Sequence, residues 1–221
     1  MAVNKEQYRK VIDELKANNV TLVAVSKIKP VADILELYHL GQRHFGENYV
    51  QEVVEKQARL PGDIRWHFIG HLQSNKIKYI APFIHLIHGV DSLKLLKEIN
   101  KQAQKANRTI DVLLQVHIAQ EETKFGLDEN ELSELLYADL TGLKHISVKG
   151  LMGMASFSDS PQQIHKEFHY LKSLFDKYAG ISAPNISFTT LSMGMSGDYQ
   201  IAIEEGSNMV RIGSLIFGRR T

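Results

Sequence analysis

The chain contains no cysteine. That excludes disulfides, thiolate metal sites and a cysteine nucleophile together, and it fits a reducing compartment. No window approaches about 18 consecutive apolar residues, so no membrane-spanning helix is expected. The opening segment, residues 1–19, is charged and helix-patterned, without the apolar stretch of a signal peptide. Excess charge of either sign is missing too: 26 Lys and Arg face 25 Asp and Glu, a formal net charge of +1. Such a balance provides no global field for nucleic acid or an anionic membrane, and it favours a monomer. The expectation is a cytoplasmic protein with neither kind of partner.

What is present is apolar periodicity of two kinds. The 221 residues, 43% of them apolar, suffice for a large core. Asn4 with Gln7 opens a helix in which Tyr8, Val11, Ile12 and Leu15 keep helical spacing. Apolar strand-like runs then recur at 21–27, 44–48, 66–70, 84–90, 109–118, 148–154, 187–194 and 208–218. Helical patterns separate them, the longest opened by Ser160, Pro161 and Gln163. Strands alternating with helices imply a parallel sheet, either closed as a barrel or open and doubly wound. The open form would bring a Gly-rich loop after its first strand, and SKIKP (26–30) stands there instead. The expected fold is therefore α/β, a single (β/α)8 TIM barrel spanning 1–221 as one domain, with an extra N-terminal helix.

In such a barrel chemistry gathers where strands end. Those positions offer Lys27, Glu47 and Asn48, His71 with Gln73 and Asn75, Asp91 and Ser92, Lys124, residues 152–156, 192–196 and 211–214. Polar residues there are ordinary in any barrel; two features are more specific. SMGMSGD (192–198) and RIGS (211–214) are small-residue turns after the seventh and eighth strands, where barrels recurrently hold phosphate. In the first, the N–H groups of Ser196, Gly197 and Asp198 are expected to open a helix toward an anion. Lys27 closes an apolar strand, so its amine is expected in the barrel mouth, where desolvation and nearby cations favour the neutral, nucleophilic form. Either feature alone is more often a plain turn or a solvated strand-end lysine. Together they point to a phosphorylated carbonyl compound, as cofactor or substrate.

AVSKIKP (24–30), HFGENYVQE (44–52), WHFIGHLQSNK (66–76), KGLMGM (149–154), LSMGMSGDYQIAIEEG (191–206) and MVRIGSLIFGRR (209–220) come in that order along nearly the whole chain. In this the chain resembles the YggS/PROSC family of pyridoxal phosphate homeostasis proteins, related to the alanine racemase barrel. The resemblance implies pyridoxal 5'-phosphate (PLP) as cofactor, with Lys27 as its Schiff-base lysine. It implies that Ser196 and Ser214, with backbone near Gly197 and Gly213, hold the phosphate, that Arg211 faces the pyridine nitrogen and that Asn48 lies near the ring. The sequence departs from the usual pattern at Gly89, His117, Asn208 and Ser214, the last keeping the hydroxyl.

The function implied is vitamin B6 homeostasis: holding PLP, limiting its free aldehyde and passing it to PLP-dependent apoenzymes, without substantial amino-acid turnover. A cationic arginine opposite the pyridine nitrogen disfavours the protonated ring that makes PLP a strong electron sink. The rival readings are a PLP-dependent amino-acid racemase, a Schiff-base aldolase without cofactor, and a ligand-responsive interaction module. A racemase would need a second proton-transferring residue, for which His67, His71, His117 and Tyr199 are the candidates.

Overall fold

The computed structural model describes residues 3–121, 125–181 and 183–218. Helix α1 (Lys5–Ala17) comes first, capped by Asn4, whose side chain accepts from the Gln7 N–H at 3.0 Å. Eight parallel strands follow: β1 (Thr21–Val25), β2 (His44–Glu47), β3 (Arg65–Phe68), β4 (Leu86–Val90), β5 (Ile110–Gln115), β6 (Ile146–Met152), β7 (Ile186–Ser192) and β8 (Met209–Ile212). Their order is sequential, and β8 returns to pair with β1 from Thr21↔Met209 to Ala24↔Ile212, closing the barrel. Between them run α2 (Val31–His39), α3 (Val50–Gln57), α4 (Ile77–Ile80), α5 (Leu93–Lys105), α6 (Glu129–Tyr137), α7 (Pro161–Tyr178) and α8 (Tyr199–Glu204), with α9 (Ser214–Phe217) after β8. The fold is the expected (β/α)8 barrel with one helix added at its start. No described helix is long and apolar enough to cross a membrane.

Strand residues alternate between two faces. The outward set, including Leu22, Ala24, Phe45, Trp66, Phe68 and Ile87, packs against the helices in one large core. The inward set is smaller and mixed. Val23, Leu86, Leu113, Met152 and Met209 form an apolar plug, while His67, His88, Ser192 and Arg211 are buried polar groups of β3, β4, β7 and β8.

Two expectations about local structure are corrected. Most of the apolar runs continue past the C-terminal ends of their strands: β1 stops at Val25, β5 at Gln115 and β7 at Ser192. Those extra residues belong to the loops of the barrel mouth, several of them apolar, so hydrophobicity alone does not mark the strand end. Ser160 precedes α7 without a side-chain capping bond; its hydroxyl bonds Gln162, and Pro161 in the first turn makes the start.

Between β7 and β8 only Ser192↔Met209 is in register. The Asn208 side chain adds to this pairing, accepting from the Leu191 N–H and donating to the Thr189 carbonyl, each at 2.8 Å.

Candidate functional site

The C-terminal mouth of the barrel opens into a cavity of about 590 Å³. Val23 and Val25 point inward from β1, and Lys27, two residues on, keeps that face and lines the cavity. Asn48 lines it just after β2, Arg211 from within β8, and Gly213 with Ser214 from the turn into α9. Ser196 and Gly197 come from the turn after β7. All seven residues singled out as cofactor-binding from the sequence thus share one space. Ile69, Met154 and Met195 supply apolar wall, the two methionines being soft, adaptable surfaces.

The two small-residue turns are tied together: the Gly213 N–H donates to the Ser196 hydroxyl oxygen at 3.2 Å. Gly194 sets the first of them, with φ of +95° and room for a Cβ only 2.6 Å from that of Ala202. The expected anion site needs correction at Asp198. Its N–H donates to the Met195 carbonyl at 3.2 Å and closes the turn, so it does not face the cavity. Among the described residues nothing accepts from the N–H groups of Ser196 and Gly197, and a Cβ at Gly197 would meet no atom within 4 Å. Those are the features of a cradle that a polar anion can fill.

Arg211 is buried, and its NH1 donates to the Ser192 carbonyl (2.9 Å) and hydroxyl (2.7 Å), its NH2 to the Gly153 carbonyl (3.0 Å). Burial lowers its pKa to about 10, with Asp198 acting in the opposite sense, so it stays cationic at neutral pH. Among the described residues, neutral oxygens rather than a carboxylate hold this cation. Asn48 brings a free acceptor: Oδ1 is buried with no hydrogen-bond partner among the described residues. Gly70 sits so close that a Cβ there would lie 2.5 Å from the Asn48 carbonyl oxygen, which fixes that backbone against the end of β3.

Lys27 is framed from outside by a network that the sequence reading missed. Glu47, a strand-end group of β2, points away from the cavity and accepts from the Ser26 hydroxyl at 2.6 Å. The buried Lys56 ammonium donates to the Ser26 carbonyl (2.7 Å), Glu47 (2.8 Å) and Glu52 (2.6 Å). Glu52 also accepts from the Ile28 N–H. Ile28 has φ of +64°, a left-handed conformation that costs a β-branched residue of order 1–3 kcal/mol. The only sequence trace of this device is the (i, i+4) pair Glu52 and Lys56.

The other candidates lie elsewhere. His71 stacks on Phe125 at 4.4 Å and, with Gln73, lines a separate hollow shared with Asn48. His67 is deep in the barrel, His117 bonds the Glu121 carbonyl at 2.9 Å, and the Tyr199 hydroxyl donates to Glu14 at 2.8 Å. Ser92 caps α5, and Ser156 bonds Glu167. Gly89, His117 and Asn208 do not line the cavity. Lys124 lies outside the described residues.

Comparison with known proteins is consistent along the whole chain. Residues 3–221 match the family model for the alanine racemase N-terminal domain. A pyridoxal phosphate homeostasis protein of Aquifex aeolicus is 41% identical over 204 residues, covering 92% of this chain and 88% of the relative. The protein of that name in Escherichia coli K12 is 38% identical, covering 91% and 86%. Among solved structures, PipY of Synechococcus elongatus is 36% identical and covers 96% of this chain and 99% of its own, with TM-scores of 0.90 without PLP and 0.86 with PLP bound. An alanine racemase of Clostridium difficile shares the fold at 16% identity and a TM-score of 0.76, and this chain covers only 58% of it. The chain belongs to the pyridoxal phosphate homeostasis protein family, built on the barrel of the alanine racemase N-terminal domain.

Proposed function

We propose that the cavity holds pyridoxal 5'-phosphate as a Schiff base on Lys27, and that the protein serves intracellular PLP homeostasis without substantial amino-acid turnover. One observation carries the reading: Lys27 and Arg211 share a cavity with two small-residue turns. In that arrangement Ser196, Gly197, Gly213 and Ser214 hold the phosphate, which takes over the acceptor role that the Ser196 hydroxyl now plays for the Gly213 N–H. Asn48 presents its unpartnered oxygen beside the ring, and Arg211 faces the pyridine nitrogen. The relatives' shared name and the PLP-bound PipY structure support PLP as the ligand.

When bound, PLP supplies an aldehyde for imine formation and, if its ring nitrogen is protonated, an electron sink. Arg211 works against that protonation, since two positive charges would then face each other in a buried site. The cavity wall among the described residues carries Lys27, Lys29, Asp33 and Arg211 as its ionisable groups, with no imidazole or phenol. Lys29 is engaged with the Phe217 carbonyl at 2.7 Å. The racemase reading therefore lacks its second proton carrier. The function that remains is to bind PLP, keep its aldehyde covered and release it to apoenzymes, as a cytoplasmic monomer acting through this one barrel domain. The decisive experiment is the visible spectrum of the purified protein, followed by borohydride reduction and peptide mass analysis. A pyridoxyl group on Lys27 is expected; one on Lys29, Lys76 or Lys124 would reject the assignment.

A further inference from the structure

The opposite end of the barrel carries a second set of chemistry-bearing side chains that the cofactor reading does not use. His44 begins β2, His67 lies in β3, and His85 immediately precedes β4. In a parallel barrel these positions meet at the N-terminal floor, away from the cavity. One ring nitrogen of each histidine lies within 4.8 Å of those of the other two. We propose that His44, His67 and His85 form a binding site for a transition-metal ion of the Zn²⁺ class at the floor of the barrel.

The geometry needs little adjustment. In a tetrahedral site with metal–nitrogen bonds of about 2.0–2.1 Å, ligand nitrogens lie roughly 3.3 Å apart. His44 Nδ1 and His67 Nε2 are already 2.8 Å apart, sharing one proton. An ion replaces that proton and spreads the pair slightly. The His85 ring centroid lies 5.7 Å from that of His44 and 5.3 Å from that of His67, so a small rotation brings a third nitrogen in. His44 and His85 are half-exposed, which leaves water as the fourth ligand and gives the ion a route in.

The outer shell is also in place. His67 Nδ1 bonds His88 Nε2 at 2.9 Å, and His88 Nδ1 bonds the Ser192 hydroxyl at 3.1 Å. That chain fixes the orientation of the one fully buried ligand, as the outer partner of a metal-bound imidazole does. Three imidazoles with no thiolate suit Zn²⁺, Co²⁺, Ni²⁺ or Cu²⁺ rather than Ca²⁺ or Mg²⁺. The opposing force is Arg65, whose guanidinium approaches His44 Nε2 at 3.3 Å. Arg65 is exposed and can turn to solvent, and the Asp111 carboxylate acts on His85 in the favourable sense.

The test must remove a competing surface chelator. His165 and His169, four residues apart on α7, both bond Glu205, at 2.9 and 3.1 Å. In a metal-stripped, full-length His165→Ala/His169→Ala protein, Co²⁺ is titrated while visible absorbance is followed. One equivalent should bind with the intense bands of a four-coordinate ion, and Zn²⁺ should displace it. His44→Ala and His85→Ala should each weaken binding by at least about tenfold, the lower limit for loss of even an outer partner. Undiminished affinity in both, or no binding in the double variant, would overturn the site. Should either histidine variant fail to fold, the wild type decides. Saturating Zn²⁺ must then shift the ring-nitrogen NMR signals of His44, His67 and His85, and unshifted signals reject the proposal.

Discussion

The Lys56 ammonium donates to the Ser26 carbonyl at 2.7 Å, one residue before Lys27, while Glu52 anchors the Ile28 N–H one residue after it. The lysine's backbone is thus gripped on both sides by one buried network reaching from α3. Two substitutions separate its contributions. Lys56→Met leaves Glu47 buried without its cation and should cost about 3–5 kcal/mol of stability, read from denaturant midpoints. Glu52→Gln keeps an acceptor for Ile28 but loses its charge, so it should loosen the left-handed turn with little effect on the core. Its PLP affinity should fall roughly three- to tenfold, a fraction of one charged hydrogen bond. Unchanged affinity in Glu52→Gln would show that the network serves stability alone.

The fold was legible because its signal is repetitive: apolar strands at regular spacing, each followed by an amphipathic helix, leave few topologies. The cavity was legible through Lys27 and the SMGMSGD and RIGS turns, each with a local composition that carries its role. The buried grip on Lys27 was not, because Ser26, Glu47, Glu52 and Lys56 are ordinary residues whose meaning lies in their meeting across β1, β2 and α3. The histidine floor was hidden for the same reason. His44, His67 and His85 are about 20 residues apart and become neighbours only when three strands start side by side. Strand ends were overestimated because mouth loops such as Met193–Met195 remain largely apolar in sequence while leaving the sheet.

The phosphate turns predict a contrast between hydroxyls and glycines. A hydroxyl donating to a charged phosphate is worth about 1.5–3 kcal/mol, so Ser196→Ala and Ser214→Ala should each weaken PLP binding roughly 10- to 100-fold. Gly197→Ala meets no protein atom within 4 Å, so the fold should be unaffected while the methyl intrudes on the anion. Gly194→Ala should behave oppositely, lowering thermal stability because of its φ of +95° and the contact with Ala202. Equilibrium titration with PLP and melting curves on the four variants check both halves. Wild-type affinity in both serine variants would remove the phosphate from these turns.

Acid sensitivity should come from inside the barrel. Burial, then the charge of neighbouring rings and arginines, holds His67 and His88 well below the ordinary histidine range, and lowers His44 to about 4. Because the unfolded chain takes up these protons near pH 6.5 and the native state does not, stability is full above that pH and is lost as pH falls. For each of His67 and His88 the slope approaches 1.4 kcal/mol per pH unit, about the energy of one pKa unit. Urea unfolding in metal-free buffer between pH 7 and 5 should show this decline, and His88→Gln should reduce its slope. A flat profile over that range would mean that these rings are protonated in the native protein.

The last prediction concerns what the bound cofactor does. If Arg211 faces the pyridine nitrogen as proposed, carbanion stabilisation is poor, and racemisation would depend on strong acid and base groups on both faces of the ring. Lys27 is available on one face. The residues that sequence alone offers for the other, His67, His71, His117 and Tyr199, all lie off the cavity, each with protein partners of its own. Loaded protein incubated with L-alanine and other L-amino acids should therefore show no appreciable change of chirality over hours. It should exchange its Schiff base with them slowly, since Ser26 and Ile28 hold the lysine backbone in place. Release to an apoenzyme remains open, because an imine and a set of hydrogen bonds to phosphate are both reversible in water. Mixing the yellow protein with a PLP-dependent apoenzyme should restore that enzyme's activity as the yellow band declines. Racemisation at ordinary enzyme rates, about 1 per second or faster, would overturn the carrier reading and promote the racemase.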